Sequence, residues 1–274
     1  SQGFFLFRLT GSPFLLGLVG AATAIPTILL NLFGGVLADR FDRRKLMMFT
    51  QAILAGLLAL IATLDLTGVV EVWHIYVIAA FTGVVTGIDW PIRTSMFAVL
   101  IGRDAMRSAV ALNSVLWQGS RVVIPTVGGN IIAAFGTSST FYLASGGFVV
   151  MFLLLLGMHI PRTDTSKLRK PWQELADGIQ YILKTRLFAV LIPLTFANMF
   201  FGLTYVQLMP AYANLFNGGP RELGYLLTST GIGAVIGTLL VGKIGNRSRL
   251  GWMIIGSLFV STSLTLLFAF SPTY

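Results

Sequence analysis

Long uncharged runs alternate with short polar stretches along this chain, and their lengths predict membrane-spanning helices. About 20 helical residues cross roughly 30 Å of hydrocarbon, so uncharged runs of that length are typical of transmembrane spans. Eight runs of this length, two of which contain isolated charges, follow a short stub with the pattern of a helix end. They cover residues 14–37, 46–64, 74–98, 109–135, 140–160, 187–208, 223–241 and 252–270. The pattern therefore predicts an all-α integral membrane protein.

The most polar stretch between these runs, residues 35–45, separates the first run from the second. It reads Gly-Val-Leu-Ala-Asp-Arg-Phe-Asp-Arg-Arg-Lys, whereas only 11% of the whole chain is charged. A charge at the middle of a bilayer costs roughly 2.5 to 3.5 kcal/mol on insertion scales. We therefore expect this stretch to be a short loop at a membrane surface. Its positive charges could serve only to set the orientation of the chain, or the stretch could have a further function.

Composition supports a membrane protein and argues against several other classes. The chain of 274 residues is 55% hydrophobic, and its charged fraction is far below the roughly 25% of soluble domains. The net charge of +9 does not indicate a nucleic-acid partner, because the basic residues lie in short loops between apolar runs rather than on one face. There is no Cys and there are only two His. We expect no metal and no cofactor.

The basic residues predict the orientation of the chain in the membrane. Most of the 19 Lys and Arg lie in one set of alternate loops, which includes residues 35–45 and 161–186. The positive-inside rule places that set in the cytoplasm. We therefore expect a multi-pass protein of the plasma membrane, as in a bacterial inner membrane, with residues 35–45 cytoplasmic.

The longest polar segment divides the chain into two halves. Within it, residues 172–183 have apolar positions at helical spacing, with acidic residues early and basic residues late. This pattern predicts an amphipathic helix on the inner membrane surface. The expected domains are a first helical half at 1–160, a linker at 161–186 and the start of a second half at 187–274.

An internal repeat supports this division. The second half repeats the Gly-x3-Asp-Arg pattern of residues 35–40 in degenerate form at Gly242, Asn246 and Arg247. Each copy follows an uncharged span that exits on the same side. Parallel repeats of this kind occur in some secondary transporters, in which the substrate path lies between the halves.

The residues of the charged stretch resemble those of a known family. Gly-x-Leu-Ala-Asp-Arg-x-x-Arg-Arg between two spans, with a degenerate copy six spans later, resembles the signature loop of the major facilitator superfamily. Asp-Arg-Phe-Asp-Arg-Arg and the later Ala-Leu-Asn-Ser at 111–114 resemble its enterobactin-exporter-like and macrolide-efflux branch. Asp42 replaces a glycine that is common in the superfamily.

This resemblance implies a twelve-helix fold of which the chain is an incomplete piece. The chain would cover the end of helix 1 and about eight complete transmembrane helices, numbered 2 to 9, with the central loop. A fragment without the remaining helices is expected neither to transport nor to fold stably by itself.

The resemblance also implies a conformational latch at the charged stretch. Aspartate and arginine matching Asp39 and Arg43 would form a charge relay with an acid low on helix 4, and the relay would stabilise the outward-open state. Asp89 is a candidate for this acid, because it lies roughly 22 Å along its helix from the outer end. The alternative is a local pair between Asp89 and Arg93. The full set of expected latch residues is Gly35, Asp39, Arg40, Arg43, Arg44, Asp89 and Arg93, in which Gly35 allows close helix packing.

Arg121 is a second unusual charge, because it lies near the middle of the run 109–135. An ionisable residue at that depth is a functional hypothesis by default. Arg121 would meet either an acid on helices outside this chain or an anionic substrate. Gln118 and Asn198 are weaker cavity candidates, since most membrane Asn and Gln side chains bond to a neighbouring helix.

The same run carries a Gly-Pro pattern at Gly119, Pro125, Gly128 and Gly129. It resembles the helix 5 motif of proton-coupled antiporters, although Ile124 occupies the position of the usual glycine. Pro and Gly in a membrane helix allow either bending or close packing. Both readings stay open at this point.

These features together predict a transporter and not an enzyme. The resemblance implies a secondary active, proton-coupled exporter of an amphiphilic drug or siderophore that works by alternating access. Alternatives are a lysophospholipid or lipid flippase of the same fold and a non-transporting membrane receptor. The spans lack paired acid-base groups and a phosphate-binding loop. The expected partners are a small-molecule substrate, protons and the lipid bilayer, with the protein acting as a monomer.

Overall fold

The structure, a computed structural model, describes residues 2–101, 105–158, 180–202, 204–215, 219–244 and 250–270, and these ranges contain no strand. Six helices within them are long and apolar enough to cross a membrane. The helices are α1 Gln2–Thr10, α2 Pro13–Arg40, α3 Arg43–Thr67, α4 Val72–Leu100, α5 Met106–Phe135, α6 Thr137–Gly157, α7 Arg186–Gly202, α8 Thr204–Leu215, α9 Pro220–Ile244 and α10 Leu250–Ala269. The predicted all-α membrane fold is confirmed.

The helix bounds follow the predicted apolar runs closely. In seven of the eight runs, both helix ends lie within three residues of the predicted ends. The eighth run, 187–208, falls on α7 and α8, on either side of residue 203, which is outside the described part. The predicted amphipathic helix of the linker also lies mostly outside it, although residues 180–184 are helical.

The charged stretch is helical almost throughout, so the prediction of a loop at 35–45 was wrong in its extent. Helix α2 continues to Arg40 and α3 begins at Arg43, with only Phe41 and Asp42 between them. The Asp42 carboxylate accepts hydrogen bonds from the backbone N–H groups of Arg44 at 3.0 Å and Lys45 at 3.3 Å. Because an aspartate cap satisfies the free donors of a helix N-terminus, two residues suffice for the turn.

This turn marks one end of the helix bundle, which we call the charged end; the other is the opposite end. At the opposite end, Arg8 of α1 lies 3.2 Å from the Asp65 carboxylate of α3. The hydroxyl of Thr137, the first residue of α6, donates to the other oxygen of Asp65. One carboxylate thus joins three helices of the first half.

Close backbone contact holds α2 against α4. The Thr27 hydroxyl of α2 donates to the Gly83 carbonyl of α4 at 3.0 Å. A Cβ atom added at Gly34 would overlap the Pro91 ring, whereas one at Gly35 would meet no described atom within 4 Å. Gly34 therefore allows the close approach that the sequence analysis assigned to Gly35.

The core of the first half lies where α1, α3, α4 and α6 meet. It is built around Phe5, Ile61, Ile75 and Phe141, whose side chains are almost completely buried. Burial of large apolar side chains against protein distinguishes this region from the outer helix faces, which stay exposed. These four helices therefore share one packed core.

Candidate functional site

A buried carboxylate, Asp89 of α4, lies against α3 and is 6% exposed. Its Oδ1 atom accepts hydrogen bonds from the Thr50 hydroxyl at 2.6 Å and from Gln51 Nε2 at 2.7 Å. Its Oδ2 atom accepts from Arg93 Nη2 at 3.1 Å. Burying a charge is costly unless it is paired and hydrogen-bonded, so these donors stabilise the carboxylate where it lies.

The pair between Asp89 and Arg93, one of the two alternatives from the sequence, is present in the structure. The side chains of Asp39 and Arg40 lie outside the described part, so the charge relay stays a prediction. Thr50 and Gln51 were missed by the sequence analysis. The available signal was a pair of polar residues inside the apolar run 46–64.

Arg44, an expected latch residue, binds the end of α6 within the first half. Its Nε atom donates to the Leu155 carbonyl at 2.7 Å, and Nη2 donates to the Leu156 carbonyl. The last carbonyls of a helix lack intrahelical partners and attract positive charge. The observed contacts therefore give Arg44 a structural function, fixing α3 to α6 at the charged end.

Replacing Arg44 by Gln is expected to lower the stability of the first half by about 1.5 to 3 kcal/mol, the usual contribution of hydrogen bonds to a charged group. Thermal unfolding of the purified full-length protein in detergent measures this. Lys45→Gln is the matched control, because Lys45 is an exposed neighbour. Equal melting temperatures for the two variants would show that the Arg44 contacts contribute nothing.

Helix α5 crosses α9 in antiparallel orientation, which brings together residues from the two predicted halves of the chain. Added Cβ atoms at Gly224 and Gly231 of α9 would lie 2.7 Å from the Pro125 carbonyl oxygen and 2.5 Å from that of Arg121. At Gly129 of α5 an added Cβ would overlap the Pro220 carbonyl. Small residues allow such backbone approach between membrane helices.

Hydrogen bonds reinforce this crossing. The hydroxyl oxygens of Thr126 and Thr228 are 2.6 Å apart, and Gln118 Nε2 donates to the Thr238 hydroxyl at 2.8 Å. Gln118, a predicted cavity residue, thus bonds to the neighbouring helix in this structure. From there towards the charged end, residues 112–117 of α5 are all exposed. In the described residues, α5 and α9 are therefore bonded towards the opposite end and exposed towards the charged end.

The Gly-Pro pattern of α5 is divided between contact and open space. Pro125 and Gly129 lie in the crossing with α9. An added Cβ at Gly119 or Gly128 would meet no described atom within 4 Å. Close packing therefore accounts for two of the four positions.

Beside this crossing, Arg121 lines a cavity of about 530 Å³. The other lining residues come from the second half of the chain: Tyr205 and Val206 of α8, and Leu227, Thr230 and Ala234 of α9, with Pro125 of α5 completing the wall. The Arg121 side chain is exposed, and it makes no hydrogen bond or ion pair with a described residue.

The remaining predicted positions lie elsewhere. Asn198 of α7 lines a separate cavity of about 310 Å³ against α10. Gly242 belongs to the last turn of α9, whereas Asn246 and Arg247 of the repeat fall outside the described residues.

Comparisons with known proteins agree with this architecture. Residues 2–274 match the family of transmembrane secretion effectors. An uncharacterized MFS-type transporter of Bacillus subtilis is 26% identical over 93% of this chain and 61% of its own length. The staphyloferrin A transporter of Staphylococcus aureus is 25% identical over 84% of this chain and 58% of its own length. The enterobactin exporter of Shigella flexneri is 25% identical over 88% of this chain and 57% of its own length.

The chain thus spans about three-fifths of the length of these curated relatives. The family match covers almost every residue, and the relatives named are transporters rather than enzymes. The chain belongs to the transmembrane secretion effector family of the major facilitator superfamily.

Proposed function

We propose that the protein is a proton-coupled secondary exporter of an amphiphilic small molecule, with the charged end facing the cytoplasm. The observation that supports this proposal most directly is that α5 and α9 are bonded to each other along only part of their length. The helices are bonded through Thr126 and Gln118, whereas residues 112–117 are exposed. A cargo path that is closed at one end and open at the other is one of the two states that alternating access requires.

The cytoplasmic orientation follows from charge. The start of α3 at the charged end carries Arg43, Arg44 and Lys45, and chain segments rich in Lys and Arg at the ends of spans stay on the cytoplasmic side. With this orientation the exposed stretch of α5 would face the cytoplasm, as the proposal requires of an exporter that takes up cargo there. The printed names of two relatives, the staphyloferrin A transporter and the enterobactin exporter, favour a siderophore as cargo.

Asp89 and its bonding partners are the described residues that we assign to the conformational latch of this exporter. The bonds of Asp89 to Thr50 and Gln51 require an acceptor oxygen, and its contact with Arg93 depends on charge. These contacts favour the arrangement of α3 and α4 seen in the structure, which allows Asp89 to bias one conformation over another. Asp39 would act with it, and neither residue would contact cargo.

Transport by the full-length protein in proteoliposomes tests this proposal, with ethidium and enterobactin as probes and with or without an imposed pH gradient. We expect accumulation that depends on the gradient. Asp89→Asn should lower the transport rate about tenfold or more while changing the affinity for enterobactin less than twofold. A tenfold change corresponds to a shift of about 1.4 kcal/mol in a conformational equilibrium.

Asp42→Asn is the matched control for the charge change. Asn caps a helix about as well as Asp, and Asp42 is exposed at the turn, so transport should be unchanged. Gradient-independent flux in the wild type would exclude proton coupling. Flipping of labelled lysophospholipid without accumulation of either probe would favour the flippase alternative.

A further inference from the structure

The charge balance around Arg121 is uneven. A guanidinium has five N–H donors and no acceptor, and that of Arg121 bonds to no described residue. The carboxylates whose side chains the structure describes are Asp42, Asp65, Glu71, Asp89 and Glu222, and none of them lines the cavity. Within the described part of the chain, the cavity therefore has a positive charge without a counter-charge.

The depth of Arg121 makes this imbalance important. Arg121 lies midway along α5, which runs from Met106 to Phe135. At 1.5 Å per residue, either end of the helix is roughly 20 Å away. An arginine side chain in a membrane span cannot cover that distance to reach the interface, so its charge has to be compensated at that depth.

The rest of the wall indicates the kind of molecule that fits. Tyr205 has a hydroxyl that makes no hydrogen bond with a described residue, and it offers a second donor. Pro125, Val206, Leu227 and Ala234 make most of the remaining surface apolar. A cation and a phenol hydroxyl against an apolar wall are complementary to an anionic group attached to a hydrophobic body.

We propose that the Arg121 cavity is an anion-recognition subsite and that the cargo is an anionic amphiphile, bearing a carboxylate, catecholate or phosphate group. This inference rests on the proposed transport function, since it names the class of cargo. Its test is a binding measurement that does not depend on transport. Arg121 belongs to the first half of the chain, whereas Tyr205 belongs to the second. A bound anion would therefore contact both halves, and its binding would depend on how they are arranged.

The test compares two probes that differ only in charge, 11-(dansylamino)undecanoic acid and its primary amide. Both are titrated by fluorescence onto the purified full-length protein at pH 7.5, where the acid is ionised. The wild type is expected to bind the acid at least about tenfold more tightly than the amide, as charge-assisted hydrogen bonds allow. Arg121→Gln should reduce this preference to about twofold or less, whereas Arg121→Lys should retain most of it.

Tyr205→Phe removes only the hydroxyl and should lower the preference by a smaller factor. Melting temperatures measured on the same samples distinguish lost recognition from lost folding, and Arg121→Lys keeps the charge if Gln proves unstable. Equal binding of acid and amide by the wild type would overturn the inference, as would an unchanged preference in a folded Arg121→Gln variant.

Lipid and soluble sources of the anion are separated by repeating the titration in nanodiscs. Competition by phosphatidylglycerol, but not by citrate, would assign the subsite to a lipid headgroup; the reverse result would assign it to a soluble anion. A failure of the anion-recognition subsite can be distinguished from a failure of the proposed transport function. A protein that transports ethidium but shows no acid preference keeps its function and loses this subsite.

Discussion

A disulfide between cysteines at positions 126 and 228 is expected to abolish transport, and reduction is expected to restore it. The hydroxyl oxygens of Thr126 and Thr228 are 2.6 Å apart, and a cysteine sulfur takes nearly the same place as a threonine hydroxyl. Disulfide formation brings the sulfurs to about 2.05 Å, which needs only a small adjustment. The bond would hold α5 against α9 and prevent the halves from opening towards the opposite end.

The chain has no native cysteine, so the engineered pair can be introduced without removing one from it. Proteoliposome flux is measured after oxidation with copper phenanthroline and again after dithiothreitol. The matched control is the single variant Thr126→Cys, which carries one of the two thiols and cannot form this intramolecular disulfide.

The single-cysteine control should keep its flux under the same oxidation, because it forms no crosslink between α5 and α9. The 126–228 crosslink should remove more than about nine-tenths of the flux, in proportion to the fraction oxidised. Full flux through a crosslinked protein would mean that α5 and α9 do not separate during transport, and the alternating-access proposal would then be wrong.

The helix bounds could be predicted from sequence because the bilayer restricts them strongly. A span needs a fixed length, and charged residues are excluded from its middle. These two conditions place the ends of α2 and α9 within three residues of where they lie. The helical extent of the charged stretch was harder to predict, since charged residues occur both at helix ends and in loops. Only the Asp42 cap indicates that α3 begins directly after it.

The contacts between helices could not be predicted in the same way. Each residue turns a helix by about 100°, so Gly34 and Gly35 belong to different faces although they are neighbours in the chain. Hydropathy does not distinguish these faces in a helix that is apolar all round. Which face of α2 packs against α4 depends on the matching shape of Gly87 and Pro91, and this is visible only in the fold.

The same limit applies to the candidate site. The sequence shows that Asp89 and Arg121 are unusual, because single charges in apolar runs are easily seen. It does not show that Thr50 and Gln51 face Asp89, or that Arg121 faces α8, since these contacts join residues far apart in the chain. Isolated charges in the sequence therefore identify candidate site residues, whereas the residues that surround them depend on how the helices pack.

Gly129→Ala is expected to shift the conformational equilibrium away from the structure described above by about tenfold or more. An added Cβ at Gly129 would overlap the Pro220 carbonyl and lie 3.2 Å from the Gly224 Cα atom. Both neighbours are backbone atoms, which cannot move aside as a flexible side chain does. Overpacking of this kind costs about 1 to 3 kcal/mol, and only the state in which α5 and α9 are in contact bears that cost.

A cysteine at position 126 reports the shift, because Thr126 is bonded to Thr228 while the crossing is closed. Labelling of Thr126→Cys by a membrane-impermeant maleimide from the outer side should be faster by the same factor when Gly129→Ala is present. Gly128→Ala provides the control, since an added Cβ there meets no described atom within 4 Å. Faster labelling with both alanines would point to a general loosening of α5 rather than to the Gly129 contact, and no change with either would mean that this contact does not hold the halves together.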